Sequence, residues 1–253
     1  MKLTGLMDKV AIVTGASRGI GKGIAAVLAG SGVKVVCCAR TEDHLEQACS
    51  EIEKQGGTAI PVKTDVASAA DRKRLIDRTL SAFEGIDFLI NNAGIHKEKA
   101  SLELSDEEIV QVLEVNFLSM FSLSRDVARH MIDRGGGKII NMGSFWGQLG
   151  VRKQLAYCTS KAAIEAMTRC LAVEWARNNI QVNTVAPGHI KTDISKAALE
   201  NEKYRTEILR RIPAKRVGEP EEVAHLVAFL CSQESNYLTG HIYYIDGGQT
   251  ISW

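Results

Sequence analysis

A short apolar run, Val10-Ala11-Ile12-Val13-Thr14, leads straight into Gly15-Ala16-Ser17-Arg18-Gly19-Ile20-Gly21 and then into helix-forming Lys22 to Ala29. This junction constrains the fold more than any other stretch. The apolar run suits a strand buried on both faces. Strand, glycine turn and helix follow in the order that a phosphate site at a helix N-terminus requires. The spacing is G-x-x-x-G-x-G rather than G-x-G-x-x-G, but the physical task can be the same. Glycines allow a tight turn and a close approach to a pyrophosphate, and the helix start offers free N–H groups. An ordinary turn would not call for three glycines at one junction.

The rest of the chain repeats the alternation. Lys34 to Ala39 reads as a second strand with Arg40 just past its end. In dinucleotide folds this is where the ribose 2′ position is read, and arginine suits a 2′-phosphate where a carboxylate suits free hydroxyls. Arg40, with Arg18 as a second cation, therefore favours NADP(H) over NAD(H). Helix over Thr41 to Gln55 ends at Gly56-Gly57, and a third strand, Ala59 to Val62, is followed by Asp65-Val66. Asp65 could accept from an adenine amino group or cap the helix Ser68 to Phe83. Phe88 to Ile90 is the fourth strand. In Asn91-Asn92-Ala93-Gly94 the asparagines can fasten a turn, and Ala93 and Gly94 leave room for a flat ring or a ribose. Ser105-Asp106-Glu107-Glu108 starts a helix that runs to Asp133, with polar Asn116 inside an apolar stretch. Lys138 to Met142 is the fifth strand, with Gly143-Ser144 at its end, and helix covers Leu155 to Arg177. Gln181 to Ala186 is the sixth strand, ended by Pro187-Gly188. Residues 189 to about 216 are charged and irregular to weakly helical, as expected of a lid. Glu219-Pro220-Glu221 opens another helix, and Ile242 to Ile245 is the last strand. Ligands of open α/β sheets bind beyond the carboxyl ends of strands. That places Gly15, Arg40, Asp65, Asn92, Ser144 and Pro187 on one edge.

Tyr157 and Lys161 stand four apart, just over one helical turn, so they share a face. An ammonium beside a phenol favours the phenolate, which makes a proton donor of a group that ordinarily titrates near ~10. Composition sets the bounds. The chain has 253 residues, enough for one three-layer α/β domain, and a formal net charge of +1 that gives no footprint for nucleic acid. The six cysteines show no metal or disulfide spacing and read as buried thiols in a reducing compartment. There is no secretory h-region and no apolar run near the ~20 residues of a membrane span, so a soluble, cytoplasmic protein is expected. His96 and His189 lack metal-ligand spacing and are expected at the solvent surface; no metal is expected.

The assembled motifs resemble those of the short-chain dehydrogenase/reductase family over nearly the whole chain. Thr14 to Gly21 looks like its cofactor turn, Asn91-Asn92-Ala93-Gly94 like its strand-four motif, and Asn116, Ser144, Tyr157 and Lys161 like its catalytic tetrad. Pro187-Gly188-His189-Ile190-Lys191-Thr192 is similar to its segment over the nicotinamide. The resemblance implies one Rossmann-like, doubly wound, seven-stranded parallel sheet with helices on both faces, assembled as a homotetramer. It also implies hydride transfer between a nicotinamide and a carbonyl or alcohol carbon. By this likeness the cofactor is held by Gly15, Ser17, Arg18, Gly19, Ile20, Gly21, Arg40, Asp65, Val66, Asn92, Ala93, Gly94, Tyr157, Lys161, Pro187, Gly188, Ile190 and Thr192. Tyr157 would act as general acid, Ser144 would hold the substrate oxygen, Lys161 would lower the tyrosine pKa, and Asn116 would hold a water that relays protons. Substrate walls would include Ser144, Phe145, Trp146, Leu149, Gln154 and His189. Gln154, and the Arg134 position before the fifth strand, are shared with 3-oxoacyl-[acyl-carrier-protein] reductases, which makes an acyl carrier protein or a CoA thioester an expected partner. Asn178, where those reductases carry a basic residue, and bulky Phe145-Trp146 depart from them. Pro213 to Gly218 is similar to sugar-acid dehydrogenases of the gluconate 5-dehydrogenase kind. A non-catalytic NADP-binding regulator would be expected to lack a tetrad member. Trp253 would pack across a subunit interface.

Overall fold

The computed structural model describes residues 3–192 and 200–252. Seven parallel strands form one sheet in the order β3-β2-β1-β4-β5-β6-β7: β1 Val10–Thr14, β2 Lys34–Ala39, β3 Thr58–Lys63, β4 Phe88–Asn91, β5 Gly137–Met142, β6 Ile180–Pro187 and β7 Ile242–Ile245. The order reverses between β1 and β4, which opens a crevice at their carboxyl ends. Thr14 pairs with Cys38, Asn91 with Asn141, and Pro187 with Ile245. The strand ends therefore line up along one edge, as expected from sequence.

The apolar strands are buried on both faces, and alternate residues serve opposite layers. Ala11, Val13, Val35, Cys37 and Ile140 face helices α1 (Gly19–Gly30), α2 (Glu42–Lys54) and α8 (Pro220–Cys231). Ile12, Val36, Cys38, Leu89 and Ile139 face α3 (Ala69–Phe83), α5 (Ser119–Asp133) and α6 (Leu155–Trp175). Helix α4 (Asp106–Leu113) starts with the predicted capping box, in which Ser105 and Glu108 serve each other's backbone. No helix among the described residues is long and apolar enough to cross a membrane.

Three expectations change. The helix expected from Ser105 to Asp133 is interrupted by a π-turn at Glu114–Leu118, centred on buried Asn116. The expected lid is more ordered than read: Glu202–Arg211 forms α7, capped by Asn201, and buries Ile208. Its residues 193–199, and Trp253, lie outside the described residues. Of the cysteines, Cys158 is only half-buried and Cys170 is exposed, while the other four are buried. Arg134 sits before β5 at the amino edge of the sheet, where its guanidinium donates to the Glu84 carbonyl at 3.0 Å.

Candidate active site

The glycine turn is locked to the end of β4. The Asn92 side-chain amide donates to the carbonyl oxygens of Thr14 (2.9 Å) and Gly15 (3.2 Å). The Thr14 hydroxyl in turn accepts from the N–H groups of Asn92 and Ala93. A side chain on Gly21 would collide with the Gly15 carbonyl and the Asn92 amide, so only glycine allows α1 to start this close to the turn. Arg18 precedes α1 in extended conformation and supplies no side-chain cap, so the first N–H groups of the helix keep their donor capacity. Ser17 and Ile20 flank that start, both half-buried. Gly19 takes φ +54, and the Thr192 methyl is the nearest atom to its missing side chain, at 3.4 Å. The segment after β6 thus returns across the glycine turn. Gly188 packs its α-carbon against Asp246 of the opposite loop, and Ile190 bridges to Gly218.

Arg40 and Arg18 are exposed, and neither pairs with a carboxylate among the described residues. Lys22, by contrast, is bound to Glu51 at 2.6 Å. Asp65 accepts from Ala67 N–H at 3.0 Å, while the cap of α3 is Ser68, which accepts from Asp71 N–H. The capping alternative for Asp65 is therefore set aside. Val66 is buried beside Ala93 and Thr14 in the floor of the crevice. Tight turn, uncapped helix start and paired-off asparagine fit a dinucleotide's pyrophosphate.

Further along the same edge, Ser144 (7 % exposed) ends β5, and its oxygen accepts from Trp146 N–H. Tyr157 and Lys161 lie in the first turns of α6. The Lys161 ammonium is 5.4 Å from the centre of the Tyr157 ring and donates to the Met142 carbonyl at 2.7 Å. Burial draws Lys161 down to about 8. Burial also pushes the Tyr157 phenol up to about 12, and a hydrogen bond with Ser144 offsets only part of that. In the protein without cofactor, burial is the largest influence on the phenol.

Asn116 lies at the centre of the π-turn. Fully buried, it accepts from Ile95 N–H at 2.7 Å and donates to the Ile95 carbonyl and to Ser160 Oγ at 2.9 and 3.1 Å. Its side chain thereby ties the loop after β4 to α6. Gly94 stands nearby: a β-carbon there would lie 3.2 Å from Asn116 Oδ1 and 4.0 Å from Lys161 Nζ, and its absence keeps the approach to the lysine open.

The substrate wall is aromatic and polar together. Trp146 meets Tyr157 edge-on with centroids 5.9 Å apart, and Phe145 lies 5.1 Å from His189. Leu149 sits at the rim, 39 % exposed. The solvent exposure expected of both histidines holds for His96 and not for His189. His189 is half-buried, bonded to Gln249 at 2.9 Å, and its pKa is lowered by burial. His96 packs its ring against Tyr157 and bonds Gln154 at 2.5 Å. The pairs His189–Gln249 and His96–Gln154 had no signal in the sequence, because their members lie 60 and 58 positions apart. The Arg216 of the sugar-acid-like segment forms a two-pronged ion pair with Glu222 at 2.6 and 2.7 Å. It braces the start of α8 rather than facing the pocket.

A cofactor turn at the sheet's switch point, joined along one edge to serine, tyrosine and lysine, defines a nucleotide-dependent oxidoreductase site. Comparison with known proteins agrees. Residues 15–250 match a family model described as enoyl-(acyl carrier protein) reductase. A 3-oxoacyl-[acyl-carrier-protein] reductase of Vibrio cholerae is 41% identical over 244 residues, covering 96% of this chain and 98% of its own. Among solved structures, a putative gluconate dehydrogenase from Agrobacterium tumefaciens superposes with TM-score 0.96 at 34% identity over 100% of both chains. A putative 2-deoxy-D-gluconate 3-dehydrogenase from the same organism, with bound NADP, does so at 0.91 and 34%, over 98% of each. The chain belongs to the short-chain dehydrogenase/reductase family, whose members use nicotinamide cofactors.

Proposed function

We propose that the protein is an NADP(H)-dependent reductase of a ketone, with Tyr157 as general acid. The observation that carries this reading is the convergence of Tyr157, Ser144 and Lys161 on the carboxyl edge beside the Asn92-locked glycine turn. When bound, the nicotinamide supplies or accepts the hydride at the carbonyl carbon. Tyr157 gives its proton to the carbonyl oxygen. Ser144, already in contact with the phenol, holds the same oxygen and steadies its developing charge. Lys161, anchored on Met142, supplies a cation on the phenol's flank and donors for ribose hydroxyls. Arg18 and Arg40 suit the 2′-phosphate by charge and by having no carboxylate partner among the described residues.

Two substrate readings follow from the relatives. The 41% identity to a 3-oxoacyl-[acyl-carrier-protein] reductase supports a 3-oxoacyl thioester. The polar pairs His96–Gln154 and His189–Gln249 in the wall support a sugar-acid-like ketone, as does the likeness to a putative gluconate dehydrogenase. A homotetramer is the family expectation, and exposed Val110, Leu118, Ile132 and Val173 supply apolar surface for it. Tyr157→Phe tests the core of the reading. Turnover, followed by NADPH absorbance, should fall roughly 100- to 10,000-fold with NADPH affinity retained. A variant within threefold of wild type would refute the assignment.

A further inference from the structure

Trp146 stands beside the two groups that would hold a carbonyl oxygen. Its backbone N–H donates to Ser144 Oγ at 3.2 Å, and its ring meets that of Tyr157 edge-on at 5.9 Å. Ser144 in turn bonds the phenol, so the three residues form one contact set. The indole is also braced from its flanks. It lies 6.0 Å from His96 in the loop after β4, 5.7 Å from buried Phe145 and 6.4 Å from His189 in the segment after β6. The short turn that carries it, Phe145–Gly147, is pressed onto α6: a β-carbon at Gly147 would lie 2.8 Å from Glu165 Oε1 and 3.3 Å from the Lys161 carbonyl carbon. Backbone and neighbouring rings thus hold the indole against swinging aside. Trp146 is only half-buried, so part of its surface faces open space rather than core.

We propose that Trp146 is a size gate that limits the enzyme to ketones with a one-carbon group on one side of the carbonyl. This rests on the reductase reading above and narrows its substrate. A carbonyl whose oxygen reaches both Ser144 and Tyr157 carries two substituents, and they point apart. One can leave through the mouth of the crevice. The other falls on the side of the indole, where a longer chain must displace a braced ring. A well-packed wall resists added methylenes as a core does. In an open apolar channel the preference would run the other way, since each further buried methylene strengthens binding about fourfold. A keto acid with its carbonyl next to a terminal carbon passes the gate. A 3-oxoacyl thioester passes only as its shortest member, acetoacetyl.

The test compares 2-heptanone with its isomer 4-heptanone as substrates of the full-length protein with NADPH. The isomers share composition and differ in the smaller substituent, methyl against propyl. Wild type should favour 2-heptanone in kcat/KM. Trp146→Ala should lower that preference roughly 10- to 100-fold, chiefly by gain on 4-heptanone. Trp146→Phe, which keeps a ring against Tyr157, should lower it by roughly 3- to 10-fold and carries the test if the alanine variant does not fold. Intrinsic reactivity of the isomers is common to all three proteins, and a loosened fold would lose both substrates alike, so the change in ratio reads the gate alone. A wild type that favours 4-heptanone, or a ratio within twofold of wild type in the folded variants, overturns the inference and leaves the reductase reading standing. A wild type that reduces neither ketone counts against the reductase reading instead. The gate is then read by ligand-observed NMR with NADP⁺ present, using 2- and 4-heptanol. Binding of 4-heptanol by a folded variant and not by wild type upholds it, whereas equal binding by both overturns it.

Discussion

Lys161 should make the protein less stable at neutral pH than it is at alkaline pH. Its ammonium is 4 % exposed, and burial lowers its pKa from the ordinary 10.5 to about 8. The sign follows from proton counting. Between the two values the unfolded chain holds the proton and the folded one does not, so stability rises with pH in that window. Below it, keeping the charge buried costs about 3 kcal/mol, at ~1.4 kcal/mol per pKa unit. By pH 9.5 the same relation leaves about 1.4 kcal/mol, so about 2 kcal/mol is recovered. Lys161→Met removes this dependence. It also strands the Met142 carbonyl, which now accepts from the ammonium at 2.7 Å, a loss of about 1–2 kcal/mol. The variant should therefore be inactive yet about 1–2 kcal/mol more stable than wild type near pH 7. That advantage should shrink by about 2 kcal/mol by pH 9.5. Urea unfolding of both proteins without cofactor, at steps across that range, measures the difference directly. Lys138 is drawn down to about 8 by burial as well, but it is common to both proteins and cancels. The window stops short of the Tyr157 titration, whose raised pKa would lower stability only above the ordinary tyrosine value. A difference between the two proteins that stays flat with pH would refute the reasoning.

Two further outcomes are expected. Asn116→Ala strands the N–H and carbonyl of Ile95 and removes a donor to Ser160. It should cost about 2–4 kcal/mol in urea unfolding, whereas a residue that merely held a water would leave the midpoint in place. Arg40→Asp should raise the KM for NADPH roughly 10- to 100-fold, as expected for one lost charge-assisted contact, and improve NADH; unchanged NADPH kinetics would remove Arg40 from the phosphate site.

Much of this molecule was readable because its signals are local. The glycine turn, the capping box at Ser105 and the four-residue step from Tyr157 to Lys161 each lie within a few residues of sequence. Continuous apolar strands announced a doubly covered sheet, and the strand-end rule then placed the site residues on one edge. What could not be read depends on distant partners or on burial. Asn116 read as part of an unbroken helix, because its bonds to Ile95 and Ser160 exist only once the chain is folded. The bond between His96 and Gln154 gave no sign of itself, because the two are remote in sequence. The withdrawal of Tyr157 and Lys161 from water was invisible, because sequence shows spacing but not burial.

The wide turn at Glu114–Leu118 has a consequence for how this helix can vary. A π-turn accommodates one residue more than the α-helical path through the same length. A chain shortened by one position there could close into a regular helix and still deliver Val112 on one side and Leu123 and Val127 on the other to the interior. It would forfeit the amide clamp on the loop after β4. The rod and the clamp are therefore separable traits, so a lineage could discard the second without having to rebuild the first.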